Sequence, residues 1–171
     1  MENELLIRKA GTGDINTIGY LAQEVWPATY QEILSAEQIA YMMDLFYSPS
    51  SLQHQMEKHT FLIAEMDEEP VGFASFSALA EPGIYKLHKL YVKTGIQGRG
   101  LGRALISYIV EEIGTLGAKA LDLNVNRSNK AKSFYEKLGF EVIREEDIDI
   151  GNGYWMIDFV MRLKFDLRLT E

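Results

Sequence analysis

"KLHKLYVKTGIQGRGLGRALISYIV", residues 86–110, changes character twice. It begins as a β-rich run, breaks into a loop with four glycines between Gly95 and Gly102, and resumes as an apolar stripe at helical spacing. From Gly98 to Gly102 every second residue lacks a β-carbon, so the backbone of Gly98, Arg99, Gly100, Leu101, Gly102 and Arg103 can turn its amides toward one point. The first unpaired N–H groups of the following helix and its positive dipole end add to that point, which makes the turn an anion cradle. A pyrophosphate held there gains about 1.5–3 kcal/mol from each charge-assisted hydrogen bond, enough to anchor a nucleotide-bearing cofactor. Taken in isolation, the same glycines serve equally well as a tight strand-to-helix turn.

Two phosphate motifs are excluded by residue type. A Walker loop places Lys and then Ser or Thr after its last glycine, where this chain has Arg103 and Ala104. The dinucleotide fingerprint counted from Gly98 and Gly100 requires glycine where Arg103 stands, and it belongs to the first βαβ unit of a fold rather than to its middle.

Outward from the loop the chain alternates strands and helices. "LLIRKA" reads as a first strand, and Asp14 as the cap of a helix whose buried face is Ile15, Ile18, Leu21, Ala22 and Val25. Ser35 followed by Gln38 forms a capping-box pattern before a second helix, and a short third helix is predicted to follow Ser50 or Ser51. "TFLIAEM" and "VGFASFSAL" flank the charged turn "DEEP" as an antiparallel hairpin, and "IYKLHKLYV" is a further strand. Leu101, Leu105, Ile109, Ile113 and Leu116 mark the inner face of the helix after the loop, which ends between Gly114 and Gly117. "AKALDLNV" is a strand, "SNKAKSFYEKL" a helix closed by Gly139, and "FEVIREEDI" with "YWMIDFVMRLKF" a final strand pair. The pattern is that of a single α/β (α+β) domain over residues 1–171, a mixed sheet flanked by helices.

Composition narrows the function classes. No apolar run approaches the roughly 20 residues that cross a bilayer, and the amino terminus lacks a secretory pattern, so a cytoplasmic protein without membrane partners is expected. The absence of cysteine excludes disulfides, thiolate metal sites and a cysteine nucleophile. Three scattered histidines with no pair at metal-ligating helical spacing give no metal site. A formal charge of −8 disfavours nucleic acid as a partner and suits a cationic one.

The string "LYVKTGIQGRGLGRAL", followed some thirty residues later by "NKAKSFYEKLGF", resembles the GNAT superfamily of acetyl-CoA-dependent N-acetyltransferases. Gln97, Gly100 and Gly102 match the family's Gln/Arg-x-x-Gly-x-Gly/Ala, and Asn129, Ala131, Phe134, Tyr135, Glu136, Lys137, Gly139 and Phe140 match its downstream pattern. The first helix and the closing strand further resemble bacterial polyamine-acetylating members. The resemblance implies the GNAT fold, a mostly antiparallel sheet whose fourth and fifth strands splay apart to receive the pantetheine arm of acetyl-CoA. It places that arm on the backbone of Leu90, Tyr91 and Val92, the pyrophosphate on Gln97 through Arg103, and further cofactor contacts at Asn129, Tyr135 and Lys137. For Asn129, a helix cap is an equal reading.

The implied chemistry is direct acetyl transfer to a primary amine, without an acyl-enzyme. It needs a neutral amine, a polarised thioester and a proton for the departing thiolate. The resemblance assigns that proton to Tyr135, while spacing alone allows Tyr135 to complete a core stripe with Phe134. His88, two residues before Leu90, is a candidate base, against the ordinary expectation that a lone strand histidine is structural. Glu24, Trp26 and Tyr30 offer a carboxylate and two aromatics for a cationic acceptor, with Asp147, Asp149 and Trp155 as a second group near the late hairpin. The acceptor is then a polyamine, an amino sugar, or an amino-acid or peptide amine, and a homodimer is compatible with the family. The alternative from a different class is an acetyl-CoA-binding sensor or interaction module on the same fold, which would have no need of Tyr135.

Overall fold

The computed structural model describes residues 4–96 and 98–166. Its strands are β1 (Leu5–Lys9), β2 (Thr60–Met66), β3 (Glu69–Ala78), β4 (Ile84–Val92), β5 (Ala120–Asn126), β6 (Glu141–Gly151) and β7 (Tyr154–Lys164). The helices are α1 (Ile15–Tyr30), α2 (Ala36–Tyr47), α3 (Pro49–Met56), α4 (Leu101–Gly114) and α5 (Ala131–Lys137). The strands hydrogen-bond in the order β1-β2-β3-β4-β5-β7-β6, and β4 with β5 is a parallel pair within an otherwise antiparallel set of registered ladders. This is the expected mixed sheet with helices. Two compact units divide the chain, one of residues 1–77 and 89–109, the other of residues 78–88 and 110–171.

In the first unit, β1 runs antiparallel to β2 and β2 to β3. Of the inward stripe that the spacing predicts for α1, Ile18, Leu21, Ala22 and Val25 are buried, whereas Ile15 at the helix start is only half-buried. Phe61, Leu62, Ile63 and Ala64 are consecutive and all buried, so β2 is covered on both faces. The β2–β3 turn is tighter than "DEEP": only Asp67 and Glu68, with φ of 51° and 70°, lie between the strands. Pro70 belongs to β3, opposite Glu65 at a register shift, where a residue without an N–H is tolerated.

Three local expectations change. Asp14 is at the N-cap of α1 but does not cap it; its carboxylate accepts from the Gly11 N–H and from Arg8, which also reaches Glu65 on β2. Ser35 does cap α2 by accepting from the Gln38 N–H, whereas the Gln38 side chain donates to Met42 Sδ. Helix α3 starts earlier than predicted, capped by Ser48 with Pro49 at its first turn.

The second unit holds the β4–β5 ladder, which runs from Ile84↔Ala120 to Leu87↔Leu123, while β4 continues to Val92 and β5 to Asn126. β5 pairs antiparallel with β7, and β7 with β6 across a turn at Asn152 and Gly153. Asp122 and Arg162 face each other across β5 and β7 in a two-point ion pair of 2.7 and 3.0 Å, which gives the buried Asp122 its partner. Leu121, Leu123, Phe140, Val160 and Met161 form the core. Leu116 does not extend the buried face of α4: the helix ends at Gly114 and Leu116 is 65% exposed. Among the described residues no helix is long and apolar enough to cross a membrane.

Candidate functional site

Between the end of β4 and the start of α4, Gly95, Gly98 and Gly100 have φ of 89°, 90° and 76°. These left-handed values are costly for any residue with a β-carbon, so the glycines are required by backbone shape. Close packing does not require them, because a β-carbon at any of the three would meet nothing within 4 Å. The described loop residues thus turn through left-handed backbone just before α4, with open space at each of these three glycines. The first turn closes with the Ala104 N–H donating to the Gly100 carbonyl, and by helix geometry the amides before it find no partner inside the helix.

Gly102 differs from its neighbours, since it lies within α4. Leu101 is 3% exposed, so its side chain anchors the helix and only its backbone could serve a ligand. Arg99 and Arg103 are exposed. Gln97, which carries the first position of the glycine motif, lies outside the described residues.

On β4, Leu90, Tyr91 and Val92 are half-buried, as is His88. β3 approaches this strand so closely that a β-carbon on Gly72 would come within 2.8 Å of the Tyr91 carbonyl oxygen. Lys93, at the strand's end, donates its N–H to the Val71 carbonyl at 2.7 Å.

The first unit gathers an aromatic cluster that the sequence only half reveals. Trp26 and Tyr30, one turn apart on α1, have ring centroids 4.6 Å apart, and both are buried. Trp26 also packs on Tyr47 and Tyr91, and Phe73 on the same two rings. Trp26 Nε1 donates to the Tyr47 hydroxyl at 3.0 Å, and the Tyr30 and Tyr91 hydroxyls share a hydrogen bond of 3.2 Å. Burial pushes the Tyr47 phenol well above its ordinary range. Glu24 is exposed, and the structure does not bring it into this cluster.

Lys89 joins the cluster instead. Its Nζ lies 4.5 Å from the centroid of Tyr47 and 5.7 Å from that of Phe46. Lost hydration lowers its pKa to about 8. Tyr47 also forms a wall of a groove of about 700 Å³ lined by Gln23 and Pro27 of α1 and Ile39 and Met43 of α2. Lys89, Tyr47 and Phe73 were not among the predicted site residues. The available signal was strand alternation, which puts Lys89 on the same side of β4 as the half-buried Tyr91.

In the second unit, Tyr135 of α5 is 8% exposed and packs edge-on against Phe134 and Phe140. Asn129 is used as a cap: its Oδ1 accepts from the Ala131 N–H at 2.9 Å. Lys137 is exposed in the last turn of α5. The late hairpin offers less free acid than its sequence suggests. Asp147 is paired with Arg127, which also binds Glu145, and Asp149 accepts from the Gly151 N–H. Trp155 is 48% exposed. Asn124 donates to both Glu146 and the buried Asp158, which stand opposite each other on β6 and β7. Burial pushes Asp158 up, whereas the hydrogen bond from Asn124, together with Arg144, holds Glu146 down.

Comparison with known proteins adds a consistent result. A family model described as an acetyltransferase (GNAT) domain matches residues 30–163. The chain is 30% identical over 167 residues to a spermidine N(1)-acetyltransferase of Thermoplasma acidophilum, covering 94% of this chain and 97% of that protein. A crystal structure of an N-acetyltransferase from the same organism in complex with coenzyme A superposes with a TM-score of 0.80 at 30% identity, over 95% of this chain and 99% of that one. Two further relatives are longer. The chain spans 38% of an uncharacterised N-acetyltransferase of Methanocaldococcus jannaschii, at 33% identity over 47% of its own length. It spans 26% of a mycothiol acetyltransferase of Streptomyces avermitilis, at 40% identity over 47% of its own length.

Proposed function

Because the chain belongs to the GNAT acetyltransferase family and is therefore an acyltransferase, we propose that it moves the acetyl group of acetyl-CoA directly to a primary amine. The observation that carries this reading is the run of left-handed glycines leading into α4, a backbone shape suited to a diphosphate, with open space where a β-carbon on Gly95, Gly98 or Gly100 would stand. The relatives are consistent with acceptors of several kinds, spermidine in one and a ribosomal-protein alanine in another. A primary amine is the chemistry they share.

Acetyl-CoA supplies the activated acetyl group as a thioester. In this proposal the backbone of Gly98 through Arg103 binds the pyrophosphate, with Arg99 and Arg103 adding charge, and the backbone of Leu90, Tyr91 and Val92 pairs with the amides of the pantetheine arm. Asn129 and Lys137 add cofactor contacts. Tyr135 donates the proton that the departing thiolate takes up; its phenol is protonated at neutral pH and can be recharged from water.

The acceptor must lose a proton before it attacks. An alkylammonium of pKa about 10.4 requires roughly 4–5 kcal/mol for this at pH 7. His88 is the proposed base. No side chain is needed as a nucleophile, in keeping with a chain that has no cysteine. A cytoplasmic enzyme acting as a monomer or homodimer fits this activity.

The test is thiol release from acetyl-CoA against a panel of spermidine, amino acids, aminoglycosides and a lysine peptide. Turnover with at least one primary amine is expected. Calorimetry that showed no binding of coenzyme A, or tighter binding of ATP or NAD, would overturn the reading.

A further inference from the structure

We propose that Lys89 is an anion-binding residue that selects, among primary amines, an acceptor that also carries a carboxylate. This rests on the acetyl transfer proposed above and names its substrate class.

Arg8, Arg127, Arg144 and Arg162 each pair with at least one carboxylate. Lys89 does not: among the described residues no carboxylate forms an ion pair or hydrogen bond with it, in a chain with 25 acidic residues. Its neighbours at Nζ are the rings of Tyr47 and Phe46. Ring faces attract a cation, but they do not replace its hydration. The lowered pKa, caused by burial alone, records that shortfall.

The box around this cation is held firmly. Tyr47 is fixed by the Trp26 N–H and packs on Phe73, so the face under Lys89 cannot swing away without breaking a buried hydrogen bond. Tyr47 also lines the groove between α1 and α2, so the ring that receives Lys89 is at the same time part of that groove's wall. A half-buried cation with no counter-charge gains most from an anion that arrives with the substrate, because attraction strengthens as local dielectric falls.

The same facts weigh against a polycation. Trp26 and Tyr30, which the sequence offers as a cage for the acceptor's positive charge, are turned to each other and to Tyr91. The cation already resting on aromatic faces is the protein's own. A second ammonium brought to the same rings meets like charge. An acceptor shaped like an amino acid brings a carboxylate to Lys89, whose attraction offsets the repulsion that a bare ammonium meets.

The experiment compares each amino acid with its decarboxylated amine: L-lysine with cadaverine, and L-phenylalanine with phenethylamine. Thiol release is measured for the wild type, Lys89→Met and Lys89→Arg. The expected result is at least a tenfold preference in kcat/KM for the carboxylate-bearing member. That preference is expected to collapse in Lys89→Met through a raised KM, and to persist in Lys89→Arg. A preference that is absent, or that survives Lys89→Met, overturns the proposal.

A second measurement does not depend on turnover. In protein carrying ¹³C at the lysine ε-carbons, with the Lys89 signal assigned by Lys89→Arg, millimolar L-lysine or L-phenylalanine is expected to raise its titration midpoint by about one pH unit. Cadaverine and phenethylamine are expected to leave it in place. A midpoint unmoved by either amino acid overturns the proposal even in an inactive enzyme. A midpoint that moves in a protein that acetylates nothing supports the anion site and overturns only the proposed transferase activity.

Discussion

The carbonyl oxygen of Tyr91 lies 2.8 Å from the point at which a side chain on Gly72 would begin. Real β-carbons do not sit that close to a backbone oxygen, so the approach of β3 to β4 depends on hydrogen at position 72. Gly72→Ala is expected to destabilise the protein by about 1–3 kcal/mol, the ordinary cost of overpacking. The obstacle is backbone rather than a flexible side chain, so relief requires β4 to shift at the residues proposed to bind the pantetheine arm. A urea melt should show the loss of stability, and coenzyme A affinity should fall with it. Unchanged affinity in a folded Gly72→Ala variant would remove the backbone of Tyr91 and Val92 from the cofactor site.

The glycines of the loop separate by conformation. Gly98→Ala and Gly100→Ala force a β-carbon into the left-handed region at about 1–2 kcal/mol each, with no steric clash to add. The loop relieves that strain by changing shape, so the expected result is a tenfold or greater loss of coenzyme A affinity with a small change in melting temperature. Gly102→Ala lies in a helix, where alanine is favoured by about 1 kcal/mol, and should raise stability. Equal effects of all three substitutions on stability would contradict this division.

Tyr135→Phe keeps the ring that packs on Phe134 and Phe140 and deletes only the hydroxyl. If the phenol protonates the thiolate, kcat should drop by about 10²–10⁴-fold, the usual range for a lost general acid, with coenzyme A binding intact. Retained turnover in a stable Tyr135→Phe enzyme would assign this residue to packing.

Asp122 and Arg162 give a prediction about stability alone. Asp122 is 3% exposed and makes both its hydrogen bonds to Arg162. Asp122→Ala leaves a partly exposed guanidinium without its buried partner, and a loss of about 1–3 kcal/mol is expected. The double variant Asp122→Leu with Arg162→Met leaves no unpaired charge and should recover much of that loss. Chemical denaturation of the two variants decides between a paired charge and a merely well-filled site.

Much of this architecture is written in local patterns. The spacing of Ile18, Leu21, Ala22 and Val25 fixes the inner face of α1, and that of Leu101, Leu105, Ile109 and Ile113 fixes that of α4. Local patterns fail where a neighbour distant in the chain decides. Asp14 has the chemistry of a cap, yet Arg8 and the Gly11 amide claim its carboxylate. Pro70 reads as a turn residue, yet the shift opposite Glu65 admits it to a strand. Glu24 and Trp26 are close in sequence, but two residues along a helix point to opposite sides, which leaves one exposed and the other buried. Strand alternation sets Lys89 beside Tyr91 but does not reveal Phe46 and Tyr47, which receive it and lie more than forty positions earlier. Asn129 and Tyr135 are legible as motif positions, and each also has a structural use in capping or packing.

That lysine also leaves a signature in the pH dependence of folding. Its pKa is about 8 in the folded protein and near 10.4 in the unfolded chain. Below pH 8 it is charged in both states, and the folded state carries the full cost of holding an under-hydrated cation. Between pH 8 and about 10.4 the folded state releases its proton first, so the unfolded state binds more protons and stability rises with pH. Two pH units or so would correspond to about 3 kcal/mol, and partial exposure of the side chain reduces the expected gain to about 1–2 kcal/mol. Lys89→Met removes the titrating group and keeps a long apolar stem over Tyr47. It is expected to be more stable than wild type at pH 7 by a similar amount, and the two should converge by pH 10. Denaturation midpoints measured at pH 7, 8, 9 and 10 test this directly. A constant difference between the two proteins across that range would mean that Lys89 keeps its ordinary hydration in the folded state.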